Sequence, residues 1–419
     1  MTFDSILTRQ KKPGAAALLA AALCVAGAMG QTATAQPHGS GYVQVVVGAT
    51  HSCALRHDGE VWCWGANTFG QLGIGNQPSS VVPVQAYSDA QGFRSNNIAS
   101  IGAHYYANCA LNTAGRAFCW GSNSYGELGD GSTTARRNPV PVNRLRAGLQ
   151  SLSTGTYSTC AIDANNRSWC WGRNSEGQVG DNTNIQRTIP RPVNISTQGF
   201  GPRNIAEVRA GGNHACAINA AGRAYCWGRN IYGQLGTGGG GDSLIPVGVS
   251  VATAGFGRRN IAQVAVGVDH SCALNRAGRV FCWGRNTNGQ LGLGIPNNPG
   301  SPVPIATDTS APGFAPRNTA RIVAGAFTNC ALNTNGRAYC WGRNGSGQVG
   351  DGTSGNDRNA PVQVSGLGAG LRDIATKLNH SCAIDAAGDV WCWGQNSSGQ
   401  LGDGTTTDSP VPVRVQGLP

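Results

Sequence analysis

The sequence predicts an all-β fold: a seven-bladed β-propeller of four-stranded antiparallel blades, with one hairpin disulfide in each blade. Three observations predict it. Fourteen of the fifteen cysteines fall into seven pairs, and the members of each pair stand ten residues apart. Trp-Gly follows the second cysteine of every pair, at Trp64, Trp120, Trp171, Trp227, Trp283, Trp341 and Trp393, with spacings of 56, 51, 56, 56, 58 and 52. Each unit holds roughly four short strand-like segments, and the chain shows no heptads or long helical periodicity. Periods of this size mark stacked supersecondary units. Closing four-stranded units into a ring leaves few exposed sheet edges.

Composition narrows the alternatives. The 63 glycines follow no three-residue period, which excludes collagen. A chain that is 40% hydrophobic and only 12% charged is not a disordered polyelectrolyte. The net charge of +11 is carried almost wholly by arginine, because Lys11, Lys12 and Lys377 are its only lysines. That charge permits anionic partners without naming one.

Residues 1–35 read as a signal peptide. Arg9, Lys11 and Lys12 precede an apolar run over 15–28, and Ala33-Thr34-Ala35 suits cleavage before Gln36. The run is too short to span a bilayer, and no later segment reaches ~20 apolar residues, so no transmembrane segment is expected. Cys24 follows Leu23, where lipid attachment requires a small residue. The expectation is export to the periplasm, cell surface or medium, where disulfides persist. Residues 36–419 then form a single monomeric domain with repeats at about 42–92, 93–147, 148–200, 201–256, 257–314, 315–368 and 369–419.

Within a unit, an apolar first strand such as 98–102 comes first. The two cysteine strands follow, joined by turns such as His57-Asp58-Gly59 and Thr113-Ala114-Gly115, where Gly supplies the positive φ of a hairpin. Cysteines placed symmetrically about such a turn face each other across two strands, close enough to bond in the non-hydrogen-bonded register. This pairs Cys53 with Cys63, Cys109 with Cys119, Cys160 with Cys170, Cys216 with Cys226, Cys272 with Cys282, Cys330 with Cys340, and Cys382 with Cys392. Zinc knuckles of the C-x-x-C kind are absent. A loop with a fixed Asn (Asn67, Asn123, Asn174, Asn230, Asn286, Asn344, Asn396) and Gly-Gln/Glu-Leu/Val-Gly comes next. A Pro-Val strand such as Pro139-Val140-Pro141-Val142 ends most units. Proline cannot donate to a ladder, so this strand belongs at the outer edge and the first strand at the centre.

The run from His270-Ser271-Cys272-Ala273-Leu274 through Val280-Phe281-Cys282-Trp283-Gly284 to Gly289-Gln290-Leu291-Gly292 resembles the regulator-of-chromosome-condensation repeat. The resemblance covers residues 42–419 in seven copies and implies a seven-bladed propeller. It says less about activity, because one scaffold hosts unrelated functions. The family's founding eukaryotic member is a nuclear, chromatin-binding exchange factor for a small GTPase. A secreted bacterial relative inhibits β-lactamases with aromatic residues in loops at one mouth. The export signal and paired cysteines argue against a guanine-nucleotide exchange role here.

No catalytic constellation stands out: Gly-x-Ser-x-Gly, His-Glu-x-x-His, a phosphate loop and a calcium loop are all missing, and no cofactor or metal is expected. Asp130, Asp351 and Asp403 recur in one loop position and read as turn residues, and His51, His214, His270 and His380 read as structural hydrogen-bonding groups. The variable position lies three residues before the first cysteine: Thr50, Tyr106, Tyr157, Asn213, Asp269, Phe327 and Asn379, with Tyr105 beside it. This loop joins the first and second strands, so it should ring the channel mouth, and loops on a rigid scaffold carry function. Aromatic side chains there point to a protein partner. Arg116, Arg167, Arg223, Arg279 and Arg337 follow the hairpin turn and should face the opposite side. Arg173, Arg229, Arg285 and Arg343 follow Trp-Gly and should lie at the mouth. Either set could hold carboxylate, phosphate or sulfate, as on an acidic polysaccharide. A nucleic-acid partner is not expected, since no helix or arm is available for a groove. The leading expectation is thus an exported, non-catalytic binding module or inhibitor, with a lectin-like binder of acidic glycan as the alternative.

Overall fold

The computed structural model describes residues 41–419 except 88–91, 95 and 146, so the predicted signal peptide and Cys24 lie outside it. Blade 1 shows the plan. Its strands are β1 (Tyr42–Val47), β2 (His51–Arg56), β3 (Val61–Gly65) and β4 (Ser80–Gln85), ordered β1-β2-β3-β4 and all antiparallel. Six further four-stranded sheets repeat it over 98–141, 149–192, 205–248, 261–306, 319–363 and 373–414. First strands of neighbouring blades pack on one another around the axis, and the proline-bearing strand is the outer edge, as its missing N–H requires.

Each cysteine pair occupies directly opposed positions of the central hairpin, for example Cys53 opposite Cys63. All seven predicted disulfides are formed, with Cα atoms 4.0–4.1 Å apart, the close spacing of a non-hydrogen-bonded pair. Every blade is built from one contiguous segment, so the ring closes without exchanging a strand. Blade 7 meets blade 1 through the contacts used elsewhere: the Val45 amide donates to Asp373 Oδ2 at 2.9 Å and the Trp64 indole to the Gln400 carbonyl at 2.9 Å.

That indole bond is the recurrent joint of the molecule. All seven Trp-Gly tryptophans are fully buried, and each Nε1 donates to the backbone carbonyl of the Gln or Glu in the preceding blade's Gly-Gln/Glu-Leu/Val-Gly loop at 2.9–3.0 Å. The last glycine of that loop is obligatory. At Gly350, with φ +81°, an added Cβ would sit 2.5 Å from Trp393 Nε1.

A second seam runs along the interior. Nε2 of His51, His214, His270 and His380 contacts Asn108, Ser271, Asn329 and Ser52 of the following blade at 2.7–3.0 Å. The Ser and Asn partners also donate to the loop carbonyl, so the imidazole Nε2–H donates to them. Blade 2 has Ala107 at the histidine position, and His104 takes over the bond, meeting Thr159 Oγ1 at 3.1 Å. The recurrent histidines are structural, as their repetition predicts. Burial pulls His51 down to about 4 and His104, His214 and His380 down to about 3. Because these folded-state values lie below the ordinary 6.5, the unfolded chain binds the extra protons. Stability is therefore full above pH 6.5 and falls progressively towards pH 3. Urea midpoints measured at pH 7 and pH 4.5 should show a clear loss at the lower pH, and His214→Gln should shrink that loss.

Long linkers carry Phe93, Phe200, Phe256 and Phe314 into blades 2, 4, 5 and 6, where each packs against the aromatic residue before the second cysteine and against the blade's Trp. Blades 3 and 7 follow the two shortest spacings and have no such phenylalanine. They place the larger Trp169 and Trp391 at that aromatic position, with indoles held by Asp163 and Asp385.

Candidate functional site

The loops between first and second strands gather at one end of the channel and are tied blade to blade through their backbones. The Ala49 amide donates to the Tyr105 carbonyl at 2.8 Å, Thr156 to Gly211 at 3.0 Å and Gly212 to Gly267 at 3.0 Å. Five residues before the first cysteine stands Gly48, Gly155, Gly211, Gly267 or Gly325, and a Cβ there would strike the neighbouring blade or a histidine ring. Blade 2 carries His104 at this position and blade 7 carries Lys377. The Lys377 ammonium crosses the channel to the carbonyls of Ala103, Thr154 and Gly155 at 3.3, 3.4 and 3.1 Å. The space left beside it, lined by Tyr105, Thr156, Val268 and Lys377 among others, measures about 10 Å³, no more than a single water needs. This mouth is plugged.

On top of the plug the predicted aromatics do not form one ring. Tyr105, Tyr106 and Tyr157 cluster over blades 2 and 3, with ring centroids 6.0–6.2 Å apart. Phe69 and Tyr125 extend the cluster at both ends, 5.5 Å from Tyr106 and 4.8 Å from Tyr157. Arg173 closes the arc, stacked 5.7 Å over Tyr125 and 3.6 Å from Glu176. Phe327 is separate from the arc. Arg285 lies over it and over Tyr232, and reaches Asp269 at 3.7 Å. Asp269 is only 6% exposed and also accepts from Asn213 Nδ2 at 3.2 Å, so its carboxylate is already engaged. The Asn379 amide donates to Gln395 Oε1 at 2.9 Å, and Thr50 offers its carbonyl to Ala66. Burial pushes the Tyr105 phenol up to about 12.

Phe69, Tyr125 and Tyr232 come from the loop after Trp-Gly, whose recurrent Asn and Gly point only to a structural role. They share one repeat position, just before Gly-Gln/Glu, where the other blades have Glu176, Asn288, Ser346 and Ser398. Variation at that position was the available signal. Phe69 and Tyr232 remain 41% and 39% exposed.

The backbone amides of Arg173, Arg229, Arg285 and Arg343 donate to the carbonyls of Tyr157, Asn213, Asp269 and Phe327 at 2.9–3.0 Å. Arg173 and Arg285 are engaged as described, and Arg229 and Arg343 enter no ion pair among the described residues. The hairpin arginines sit at the other end of each blade and do not form a free cationic ring. Arg116, Arg223 and Arg279 stack over Phe118, Tyr225 and Phe281 at 5.1–5.3 Å, Arg337 lies beside Tyr339, and Arg167 lines an open cleft of about 560 Å³ along the outside of blade 3. Asp130, Asp351 and Asp403 cap their own loop, each accepting from the Ser or Thr two residues on. Asp130 and Asp351 also pair with Arg136 and Arg358. Among the described residues no three His, Cys, Asp or Glu side chains converge to hold a metal ion, and no helix is long and apolar enough to cross a membrane.

Fold and site together define a disulfide-reinforced propeller that presents an aromatic arc above a plugged channel. The RCC1-like domain matches residues 23–372, and RCC1 repeats match 371–400 and 387–419. The chain belongs to the RCC1-like propeller family. It is 28% identical over 377 residues to the ultraviolet-B receptor UVR8 of Arabidopsis thaliana, covering 89% of this chain and 81% of that one. It is also 28% identical over 370 residues to the human E3 ubiquitin-protein ligase HERC2, covering 86% of this chain but only 7% of that protein. Among solved structures, yeast RCC1 (Prp20) bound to Kap60 superposes with a TM-score of 0.71 at 22% identity, covering 85% of this chain and 84% of the other.

Proposed function

We propose that this chain is an exported, non-catalytic protein-binding propeller that grips its partner with the aromatic arc, and that it inhibits or sequesters the partner when that partner is an enzyme. The contiguous run Phe69, Tyr106, Tyr105, Tyr157 and Tyr125 carries the reading. Tyrosine and phenylalanine offer large, rigid contact area at low conformational-entropy cost, and such residues dominate interface hot spots. The scaffold below them is stiff, so little ordering is lost on binding. Yeast RCC1, which shares the fold, is itself seen bound to another protein.

A second reading rests on Arg229 and Arg343, half-buried guanidiniums with no ion pair among the described residues. They favour an acidic polysaccharide. Salt separates the two, since exposed ion pairs are screened and an aromatic contact is not.

The test is capture by the immobilised mature protein from the medium of its own source, followed by affinity measurement with the partner recovered. The Phe69→Ala, Tyr106→Ala, Tyr157→Ala triple variant should lose at least about 100-fold in affinity, the scale of two or three hot-spot truncations. Its melting temperature should stay close to that of the parent. Undiminished capture by the triple variant would remove the arc, and capture lost at 0.5 M salt would favour the polysaccharide.

A further inference from the structure

We propose that Lys377 positions the aromatic arc: reaching from blade 7 across the channel, its ammonium holds the backbone of the two loops that carry Tyr105, Tyr106 and Tyr157. Its acceptors belong to those loops. The Ala103 carbonyl lies two residues before Tyr105, and the Thr154 and Gly155 carbonyls lie three and two residues before Tyr157. Thr154 Oγ1 in turn donates to the Ala103 carbonyl at 3.0 Å, so one ammonium and one hydroxyl join the two loops. Apart from Lys11 and Lys12 the chain has no other lysine, and five blades have glycine where Lys377 stands. The fold itself therefore does not demand this side chain. It is demanded where three carbonyls of blades 2 and 3 would otherwise face the lumen.

A lysine in this place carries a charge penalty. Lys377 is half-buried by area, its remaining exposure facing the lumen, and protein atoms crowd the ammonium enough to pull it down to about 8. The groups facing it do not titrate with it. Burial keeps His51 and His104 neutral, with values of about 4 and 3, and Tyr105 stays protonated to about 12. Asp373, four residues before it, is paired with Arg321 at 2.6 Å. The sign follows from linkage. Lysine free in an opened loop holds its proton to about pH 10.4, so opening is favoured by protonation and becomes rarer as pH rises from 8 to 10.

Hydrogen exchange on the mature protein tests the proposal without a partner, so its outcome is separable from that of the binding reading on which its functional meaning rests. In Lys377→Met, the hydrogen-bonded amides of His104, Gly155 and Thr156 should exchange about tenfold faster at pH 7, while those of Gly211, Gly212 and Gly267 keep their rates. The melting temperature should hold or rise, because a buried charge has been removed. In the parent, opening of those two loops, corrected for intrinsic exchange, should fall between pH 8 and 10, and in the variant it should be flat. Lys377→Gly, the residue of five other blades, serves if the methionine variant does not fold. Unchanged exchange in blades 2 and 3, or an equal change in all blades, would each overturn the assignment.

Discussion

Dithiothreitol added to the native protein at room temperature is expected to leave all seven disulfides intact, yet a melt run in the same reductant should fall by about 10 °C or more. The first half follows from access. Thiol exchange needs a thiolate to attack along the S–S axis, and all fourteen sulfurs belong to residues no more than 1% exposed. The second half follows from the unfolded chain, in which each bond closes a loop of ten residues. Loop entropy assigns each bond up to about 2–3 kcal/mol. The true contribution is smaller, because a hairpin is local in any case, but it recurs in every blade. Alkylation followed by mass spectrometry reads the first half and calorimetry the second. Labelling of several cysteines in the cold, native protein would show that the sulfurs open without unfolding.

The repeat made the blade legible, because everything inside a blade is local. Cys53 faces Cys63 since both sit five residues from the turn centre, and the outer strand is outer since Pro83 has no N–H to offer. The strand beginning at Tyr42 and the placement of the variable loops at one mouth follow from the same register. What lies between blades was not legible. Lys377 meets carbonyls more than 200 residues away, and nothing near it in sequence hints at them. His104 does the work of the recurrent histidines from three residues out of register, so counting positions passes it by. The arc was half seen. Tyr105, Tyr106 and Tyr157 vary in the expected loop, but Phe69 and Tyr125 come from a second loop, and only the ring brings the two loops together.

The tryptophan joint gives the other large effect and a way to dissect it. Trp283→Ala removes a fully buried indole packed edge-on against Phe256 at 5.8 Å, and should cost about 3–5 kcal/mol. The junctions are not equal once only the N–H is removed. At Trp283 the acceptor, the Gln234 carbonyl, is also held by Ser271 Oγ at 3.0 Å, so Trp283→Phe leaves it a partner. At Trp227 the corresponding residue is Ala215, and the Gln178 carbonyl has the indole as its side-chain donor. Trp227→Phe therefore strands a buried carbonyl and should cost about 1–3 kcal/mol more than Trp283→Phe. Denaturant midpoints of the two variants read the difference. Adding Ala215→Ser to Trp227→Phe should restore most of it, because serine already fills that position at Ser52, Ser271 and Ser381. Equal midpoints for the two phenylalanine variants would mean that the indole acts at these joints by volume alone.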